Sequence, residues 1–325
     1  MMGRVFVTRR LPGPALARLE ESVTVDLWPD DLPPPPEALR QHAATADGLL
    51  CLLTDSVDAA LLDAAPSLRV VSNMATGCDN IDLAAATGRG IPVGHTPGIL
   101  TETTADLAFA LLLAGARRVA EGDRFVRDGR WRTWDPSALL GEDVHGATLG
   151  LVGFGAIGQA MARRAQGFEM RVLYSRRSVT PAPLGLSATP VPLDTLLRES
   201  DFVSLHVPLT AETRHLIGAR ELALMKPRSL LVNTARGAVV DQQALVEALR
   251  SGRPGAAALD VMTVEPIDPH DPLLTLPNVI VTPHIGSASR ATRERMAMLA
   301  VENLLAGLAA QRLPHCANPE VYGSG

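Results

Sequence analysis

The sequence is poor in aromatic residues and in cysteine. Only 3% of its 325 residues are aromatic, which argues against the stacked rings that bind bases or sugars. The three cysteines, Cys51, Cys78 and Cys316, form no C-x-x-C pair, so neither a disulfide scaffold nor a zinc site is expected. We therefore predict no metal and a reducing compartment.

Long apolar runs and an excess of positive charge are also missing. No apolar run approaches the ~20 residues that span a bilayer, and the first residues run directly into Val5–Val7, which is too short for a signal peptide. The 30 basic and 35 acidic residues give a net charge of −5, so neither nucleic acid nor an anionic membrane is favoured as a partner. We expect a cytoplasmic protein.

What is present is enough apolar sequence for a large core. Hydrophobic residues make up 46% of the chain, which excludes a disordered protein and allows one or two domains. Short β-branched runs alternate with helical patterns from Arg4 to Met74, a rhythm typical of a small doubly wound sheet. At Thr101 the pattern changes to an almost wholly apolar helix that must be buried.

A second series of strands follows that helix. The predicted strands are Thr148–Gly153, Met170–Tyr174, Phe202–His206, Ser229–Asn233, Ala256–Leu259 and Val279–Val281. Six strands with intervening helices suggest a complete dinucleotide fold. One further helix, roughly Ala288–Leu308, is too short for a third domain, so we expect it to return to the first one.

The predicted fold is therefore α/β, with two doubly wound Rossmann-like domains of which the first is discontinuous. Residues 1–99 and 287–325 would form a substrate-binding domain. Residues 100–286 would form the dinucleotide-binding domain.

A glycine-rich turn lies directly after the first strand of the second series. Its sequence is Gly153-Phe154-Gly155-Ala156-Ile157-Gly158. Gly153 permits the tight turn, Gly155 lets the backbone approach a pyrophosphate, and Gly158 allows the helix to pack closely on the strand. A chance glycine turn is the alternative, and the strand and helix on either side make it the weaker one.

The next strand ends in Ser175-Arg176-Arg177, where NAD enzymes usually place an acidic residue. A hydroxyl and two guanidinium groups can hold a 2′-phosphate, and no carboxylate is present to repel it. We therefore favour NADP(H) over NAD(H). If the arginines are only solvated loop charges, both cofactors would be used.

Three polar residues follow other predicted strands. Arg236 comes after an apolar strand, Glu265 lies in the loop after the next one, and His284 follows a third. In an open α/β sheet, ligands bind beyond the carboxyl ends of the strands. An anion clamp, a carboxylate and an imidazole could therefore converge beside a nicotinamide. Taken singly, each could equally be an ordinary loop or surface residue.

Over nearly its whole length the sequence resembles the D-isomer-specific 2-hydroxyacid dehydrogenases, and among them it is similar to glyoxylate/hydroxypyruvate reductases. The motifs that carry this resemblance are Val5–Arg9, Gly77–Asp82, Val93–Gly98, Thr101–Ala108, the glycine turn, Asn233–Gly237, Leu259–Val261 and Pro283–Ala288. The reductase subtype rests on Trp131–Pro136, on Gly141–Gly150 and on Ser175-Arg176.

The resemblance implies an NAD(P)H-dependent reduction of a short 2-oxo acid to the D-2-hydroxy acid. Arg236 would bind the substrate carboxylate and polarise its keto oxygen. His284 would protonate that oxygen, and Glu265 would hydrogen-bond the other imidazole nitrogen. His206 is the main rival for the acid, but the resemblance places it along the cofactor.

The resemblance also implies further contacts to the cofactor. The residues concerned are Thr104, His206, Val207, Pro208, Thr234, Ala235, Asp260 and Gly286. Asp260 is expected to contact either the cofactor ribose or the backbone rather than to transfer protons.

For the substrate, the resemblance implies a second set of hydrogen bonds to the carboxylate, from the backbone N–H groups of Ala75, Thr76 and Gly77. It also implies that Leu53 forms an apolar wall. A plain turn is the alternative at 75–77. A tryptophan matching Trp134 reaches into the neighbouring subunit's pocket in similar reductases, which implies a homodimer and short substrates. Core packing of Trp134 within its own subunit is the alternative.

Other activities stay open at this stage. D-3-phosphoglycerate dehydrogenases are near relatives, but their longer forms carry a C-terminal domain for which no room remains after Leu308. Formate and phosphite dehydrogenases share the glycine turn, and the three polar residues do not by themselves exclude phosphite. Corepressors of the same fold bind nucleotide without turnover.

Overall fold

The computed structural model describes residues 3–177 and 182–323, which fall into two compact units. One unit contains the residues up to Leu100 together with those from Ser287 onward, and the other runs from Thr101 to Gly286. The first boundary lies one residue later than the sequence predicts. The substrate and dinucleotide roles expected of the two units stay predictions.

Twelve strands and eleven α-helices occur in the described residues. The strands are β1 Arg4–Val7, β2 Thr24–Leu27, β3 Gly48–Cys51, β4 Val70–Asn73, β5 Val93–Gly94, β6 Thr148–Val152, β7 Arg171–Ser175, β8 Thr189–Pro190, β9 Phe202–Leu205, β10 Leu230–Asn233, β11 Ala256–Leu259 and β12 Val279–Val281. The helices are α1 Ala15–Glu20, α2 Pro36–Ala43, α3 Ala59–Ala64, α4 Leu83–Gly88, α5 Thr101–Ala116, α6 Val119–Arg127, α7 Ala156–Gln166, α8 Leu193–Glu199, α9 Ala219–Leu224, α10 Gln242–Arg250 and α11 Arg290–Leu308. No helix among them is long and apolar enough to cross a membrane.

The first unit is built on a parallel sheet of order β2-β1-β3-β4-β5. Alternate residues of β1 point to opposite faces, and both faces are covered. Val5 and Val7 belong to the same buried cluster as Leu304 of α11, whereas Phe6 packs in a second cluster with Leu39 of α2. The C-terminal helix is therefore part of the core of this unit.

The second unit contains a sheet of order β12-β11-β10-β9-β6-β7-β8, with every paired strand parallel. The six predicted strands are present. The two-residue strand β8 was missed, because Thr189-Pro190 has no apolar run to signal it.

The apolar helix α5 is buried within the second unit. Its residues Ala105, Leu112 and Ala116 join the cluster formed by α7 and the sheet. The sheet reverses its winding between β6 and β9. The carboxyl ends of strands at such a switch point are the usual ligand site of an open α/β sheet.

Candidate active site

The glycine turn lies at the carboxyl end of β6. Gly153 has φ +95°, and a Cβ built there would lie 2.5 Å from the carbonyl oxygen of His206. A Cβ on Gly158 would lie 2.4 Å from the carbonyl oxygen of Gly153. A Cβ on Gly155 would meet nothing within 4 Å. The first and third glycines are therefore required by the fold, and the second leaves open space above the backbone.

The N-terminus of α7 offers unused donors. Within the described part of the chain, the backbone N–H groups of residues 154–157 find no protein acceptor, and Gly155 provides no side-chain cap. These donors combine with the positive end of the helix dipole. The turn therefore fits a pyrophosphate, as a dinucleotide cofactor requires.

Phe154 differs from its neighbours Gly155 and Ala156 because its side chain is buried. Its ring is 2% exposed and stacks on Tyr174, with ring centroids 3.9 Å apart. Ile157 packs partly against the same cluster, and Ala156 is exposed. Only the backbone of Phe154 can therefore contact a ligand.

Beyond β7, Arg176 and Arg177 are exposed and Ser175 is half-buried. Arg177 Nη2 lies 3.8 Å from Glu212 Oε2. Glu212 follows β9 by several residues, so its approach to Arg177 is a tertiary contact that sequence reasoning missed. The arginines supply the positive charge that a 2′-phosphate needs, and one carboxylate stands beside them.

His206 is neutral at physiological pH. Desolvation lowers its pKa to about 4, and its Nε2 lies 2.9 Å from Ser204 Oγ. A group with that pKa is a poor proton donor near pH 7. Val207 is half-buried and Pro208 exposed beside it, an arrangement that suits a wall.

Other expected cofactor residues line the same edge of the sheet. Thr104 is buried, and a Cβ on Gly286 would lie 3.5 Å from its side chain. Ala235 is half-buried. Thr234 is also buried, and its Oγ1 is without a hydrogen-bond partner in the described residues. A buried hydroxyl of this kind usually has a partner, which fits a bound polar group.

His284 and Glu265 form a close pair. His284 Nδ1 donates to Glu265 Oε2 at 2.6 Å, and the N–H of Met262 donates to Glu265 Oε1 at 3.0 Å. Burial alone would raise the pKa of Glu265, but the hydrogen bond and charge of His284, the N–H of Met262 and the charge of Arg236 together lower it. The ionised carboxylate holds the proton on Nδ1, so Nε2 is the atom through which His284 can act.

Asp260 shapes the turn that carries His284. Its side chain is 1% exposed. It accepts hydrogen bonds from Thr282 Oγ1 at 2.5 Å and from the N–H groups of Ile285 at 2.8 Å and Gly286 at 2.7 Å. The N–H of His284 donates to the carbonyl oxygen of Asp260, which helps to hold His284 at φ +54°. Of the two contacts expected for Asp260, the structure shows the one to the backbone.

Arg236 is held by its own strand end. The buried Asn233 accepts from the N–H of Ala235 at 3.0 Å and donates through Nδ2 to the carbonyl oxygen of Arg236 at 2.9 Å. A Cβ on Gly237 would lie 1.9 Å from the carbonyl carbon of Met262. The loops after β10 and β11 therefore touch, which explains why the charge of Arg236 reaches Glu265. Sequence reasoning missed Asn233 and Thr282, because only the fold shows their hydrogen bonds.

In the first unit, the N–H groups of Ala75, Thr76 and Gly77 have no protein acceptor among the described residues. Leu53 is 40% exposed. In the second unit, Trp134 is 79% exposed and Trp131 is 64% exposed. Core packing of Trp134 within its own subunit is thus excluded.

Comparison with known proteins identifies the family of the chain. Residues 109–286 match the model of the NAD binding domain of the D-isomer specific 2-hydroxyacid dehydrogenases. A glyoxylate reductase of Korarchaeum cryptofilum is 53% identical over 99% of this chain and 97% of its own length. The chain belongs to this 2-hydroxyacid dehydrogenase family. It is accordingly an NAD(P)-dependent oxidoreductase.

Solved structures of similar proteins share the fold of this 2-hydroxyacid dehydrogenase. A protein from Thermus thermophilus has a TM-score of 0.92 and 51% identity, covering 97% of this chain and 99% of the other. An NADPH-dependent glyoxylate/hydroxypyruvate reductase from Sinorhizobium meliloti, solved with NADP and malonate, has a TM-score of 0.87 and 34% identity, covering 98% of each chain. The predicted α/β fold of two Rossmann-like sheets is confirmed.

Proposed function

We propose that this dehydrogenase reduces a short 2-oxo acid, glyoxylate or hydroxypyruvate, to glycolate or D-glycerate. The observation that carries the proposal is the 2.6 Å contact between His284 and Glu265, within reach of the charge of Arg236. These groups are a proton donor, its carboxylate partner and an anion clamp, as the reduction of a keto acid needs. The names of the similar reductases support the short substrate.

Arg236 binds the substrate carboxylate and polarises the keto oxygen. A guanidinium presents paired donors to a planar anion, and Asn233 positions the backbone of Arg236. The resemblance supports a further role for the N–H groups of Ala75, Thr76 and Gly77, which would also bind a carboxylate. By the same resemblance, Leu53 would supply an apolar wall.

His284 delivers the proton from Nε2 to the keto oxygen. Glu265 stabilises the imidazolium before transfer and keeps the remaining proton on Nδ1 afterwards. In the reverse direction the neutral imidazole accepts the proton. Bound NADPH supplies the two electrons of the reduction as hydride. The chain contributes orientation, charge and the proton.

For the cofactor we propose NADP(H) as preferred and NAD(H) as usable. The N–H groups of residues 154–157 would hold the pyrophosphate, and Ser175, Arg176 and Arg177 the 2′-phosphate. The absence of a carboxylate among residues 175–177 supports this preference. The open space at Gly155 supports a close approach of the pyrophosphate.

The test is a panel of 2-oxo acids assayed with NADPH and with NADH, by loss of nicotinamide absorbance. We expect turnover with glyoxylate and hydroxypyruvate and a lower KM for NADPH than for NADH. Arg176→Asp should reverse that cofactor preference without abolishing activity with NADH, while Arg198→Asp, at an exposed site on α8, serves as control. A wild-type preference for NADH would refute the cofactor proposal.

The same panel separates the competing activities. Turnover of phosphite or 3-phosphohydroxypyruvate in place of short 2-oxo acids would replace the proposed substrate. Tight nucleotide binding without turnover across the panel would indicate a binding module of the corepressor type.

A further inference from the structure

The turn at residues 75–77 has all of its carbonyl oxygens bound. The N–H of Thr96 donates to the oxygen of Ala75 at 2.8 Å. His95 Nδ1 lies 3.0 Å from the oxygen of Thr76, and Asn73 Nδ2 lies 3.1 Å from the oxygen of Gly77. Three carbonyls are thus satisfied within the protein, while the three N–H groups of the same residues are left without a protein acceptor in the described chain.

This arrangement sets the direction in which the N–H groups of residues 75–77 point. In a trans peptide the N–H and the C=O point in opposite directions, so a donor fixed on the oxygen of Thr76 fixes the direction of the Gly77 N–H. A hydrogen bond to the carbonyl also polarises the peptide and strengthens its N–H as a donor. Successive N–H groups turned to one side form an anion-binding concavity.

The tautomer of His95 follows from its partner. The oxygen of Thr76 can only accept, so Nδ1 of His95 carries the proton. Thr76 Oγ1 donates to the oxygen of Thr96 at 2.9 Å, which ties the same two segments together once more. The imidazole of His95 is therefore fixed against the turn at residues 75–77.

The returning C-terminal segment holds His95 in place. Asn303 of α11 is fully buried, donates through Nδ2 to the oxygen of His95 at 2.9 Å and accepts from the N–H of His315. The N–H of His95 donates to the oxygen of His315. Gly94 is needed here, because a Cβ would lie 2.6 Å from that of Asn303. The helix that completes the first unit thus supports the residue that orients the turn.

We propose that His95 is a positioning residue that sets the affinity for the substrate carboxylate by orienting the Thr76–Gly77 peptide. Asn303 and His315 keep the backbone of His95 in register with the turn. The inference rests on the proposed binding of a carboxylate by residues 75–77. It adds the group that makes those N–H donors effective.

The test compares His95→Ala with His95→Asn, because Nδ2 of asparagine can occupy the place of Nδ1 of histidine. In His95→Ala we expect the KM for glyoxylate to rise about two- to tenfold, the range of one net hydrogen bond. The kcat and the KM for NADPH should stay within about twofold, since carboxylate binding contributes equally to ground and transition states. His95→Asn should restore the KM. His145→Ala, at an exposed histidine of the second unit, is the control.

Binding of oxalate, measured by calorimetry with the NADPH-bound protein, tests the same idea without turnover. Its Kd should rise in His95→Ala as the KM does. An unchanged KM and Kd in His95→Ala would overturn the inference. A fall in kcat together with a lower melting temperature would also overturn it, if His95→Asn restored neither. If His95→Ala has a higher Kd for oxalate than the wild type but the wild type reduces no 2-oxo acid, the proposed function fails and His95 keeps its role. If the wild type does not bind oxalate, the inference fails.

Discussion

Glu265 accepts the hydrogen bond from Nδ1 of His284 and places a negative charge beside the imidazole. Its carboxylate stays ionised, because the favourable contacts that lower its pKa outweigh the burial that would raise it. Protonation of Glu265 is therefore confined to acid conditions. Its contribution to stability is fully present above the ordinary carboxyl range of about pH 4.3 and is lost as the pH falls through its lowered folded value.

Glu265→Gln keeps the shape of this side chain and removes its charge. We expect kcat to fall on the order of 10²-fold, and the alkaline limb of the kcat profile for reduction to move to lower pH, since the imidazolium loses its counter-charge. The measurement is kcat against pH, with the exposed Asp268→Asn as control. A profile with an unmoved alkaline limb would show that the carboxylate does not act on His284.

Individual residues were predictable where a motif carries them, and not where the fold brings distant positions together. Arg236, Glu265 and His284 follow strands that the apolar pattern revealed, and the resemblance named their roles. The hydrogen bonds from Asp260 to the turn of His284, and from Asn233 to Arg236, could not be foreseen. They join residues whose contact depends on the path of each loop after its strand.

The glycine turn shows how one element serves both fold and ligand. Gly158→Ala places a Cβ against the carbonyl oxygen of Gly153, so we expect a loss of about 1–3 kcal/mol in stability. Gly155→Ala meets open space, so the cofactor-free protein should melt as the wild type does while its Kd for NADPH rises at least about tenfold. Thermal unfolding and fluorescence titration measure the two effects. Equal melting of both variants would contradict the division of roles.

A strand can be predicted from the sequence where its buried residues form an apolar run. Strands such as β3 and β10 are buried throughout, and their apolar runs reveal them. The strand β8 has two exposed residues and exists only because it pairs with β7. Its position could not be read from local pattern.

The discontinuous first unit follows from a simple count of the secondary-structure elements. One helix remained after the last strand, and α11 lies in the core of the first sheet. Several large apolar side chains between residues 119 and 140 of the second unit are exposed. They are Val119, Val126, Trp131, Trp134 and Leu140.

The resemblance implies that Trp134 reaches into the neighbouring subunit, and we propose that a second copy of the chain covers it. Light scattering should give twice the mass of one chain. Trp134→Ala should raise kcat/KM for 2-oxohexanoate relative to glyoxylate by several-fold, because an indole that limits the pocket is removed. A monomer in solution would refute the dimer, and an unchanged preference would refute the role of Trp134.

Whether His284 is the proton donor is tested by glyoxylate turnover of His284→Ala beside the wild type, with NADPH binding measured on both. Turnover by the variant should fall by about 10²-fold or more, as expected for the loss of a general acid, while its Kd for NADPH stays within about twofold. Turnover by His284→Ala at the wild-type rate would contradict the assignment of His284 as the proton donor.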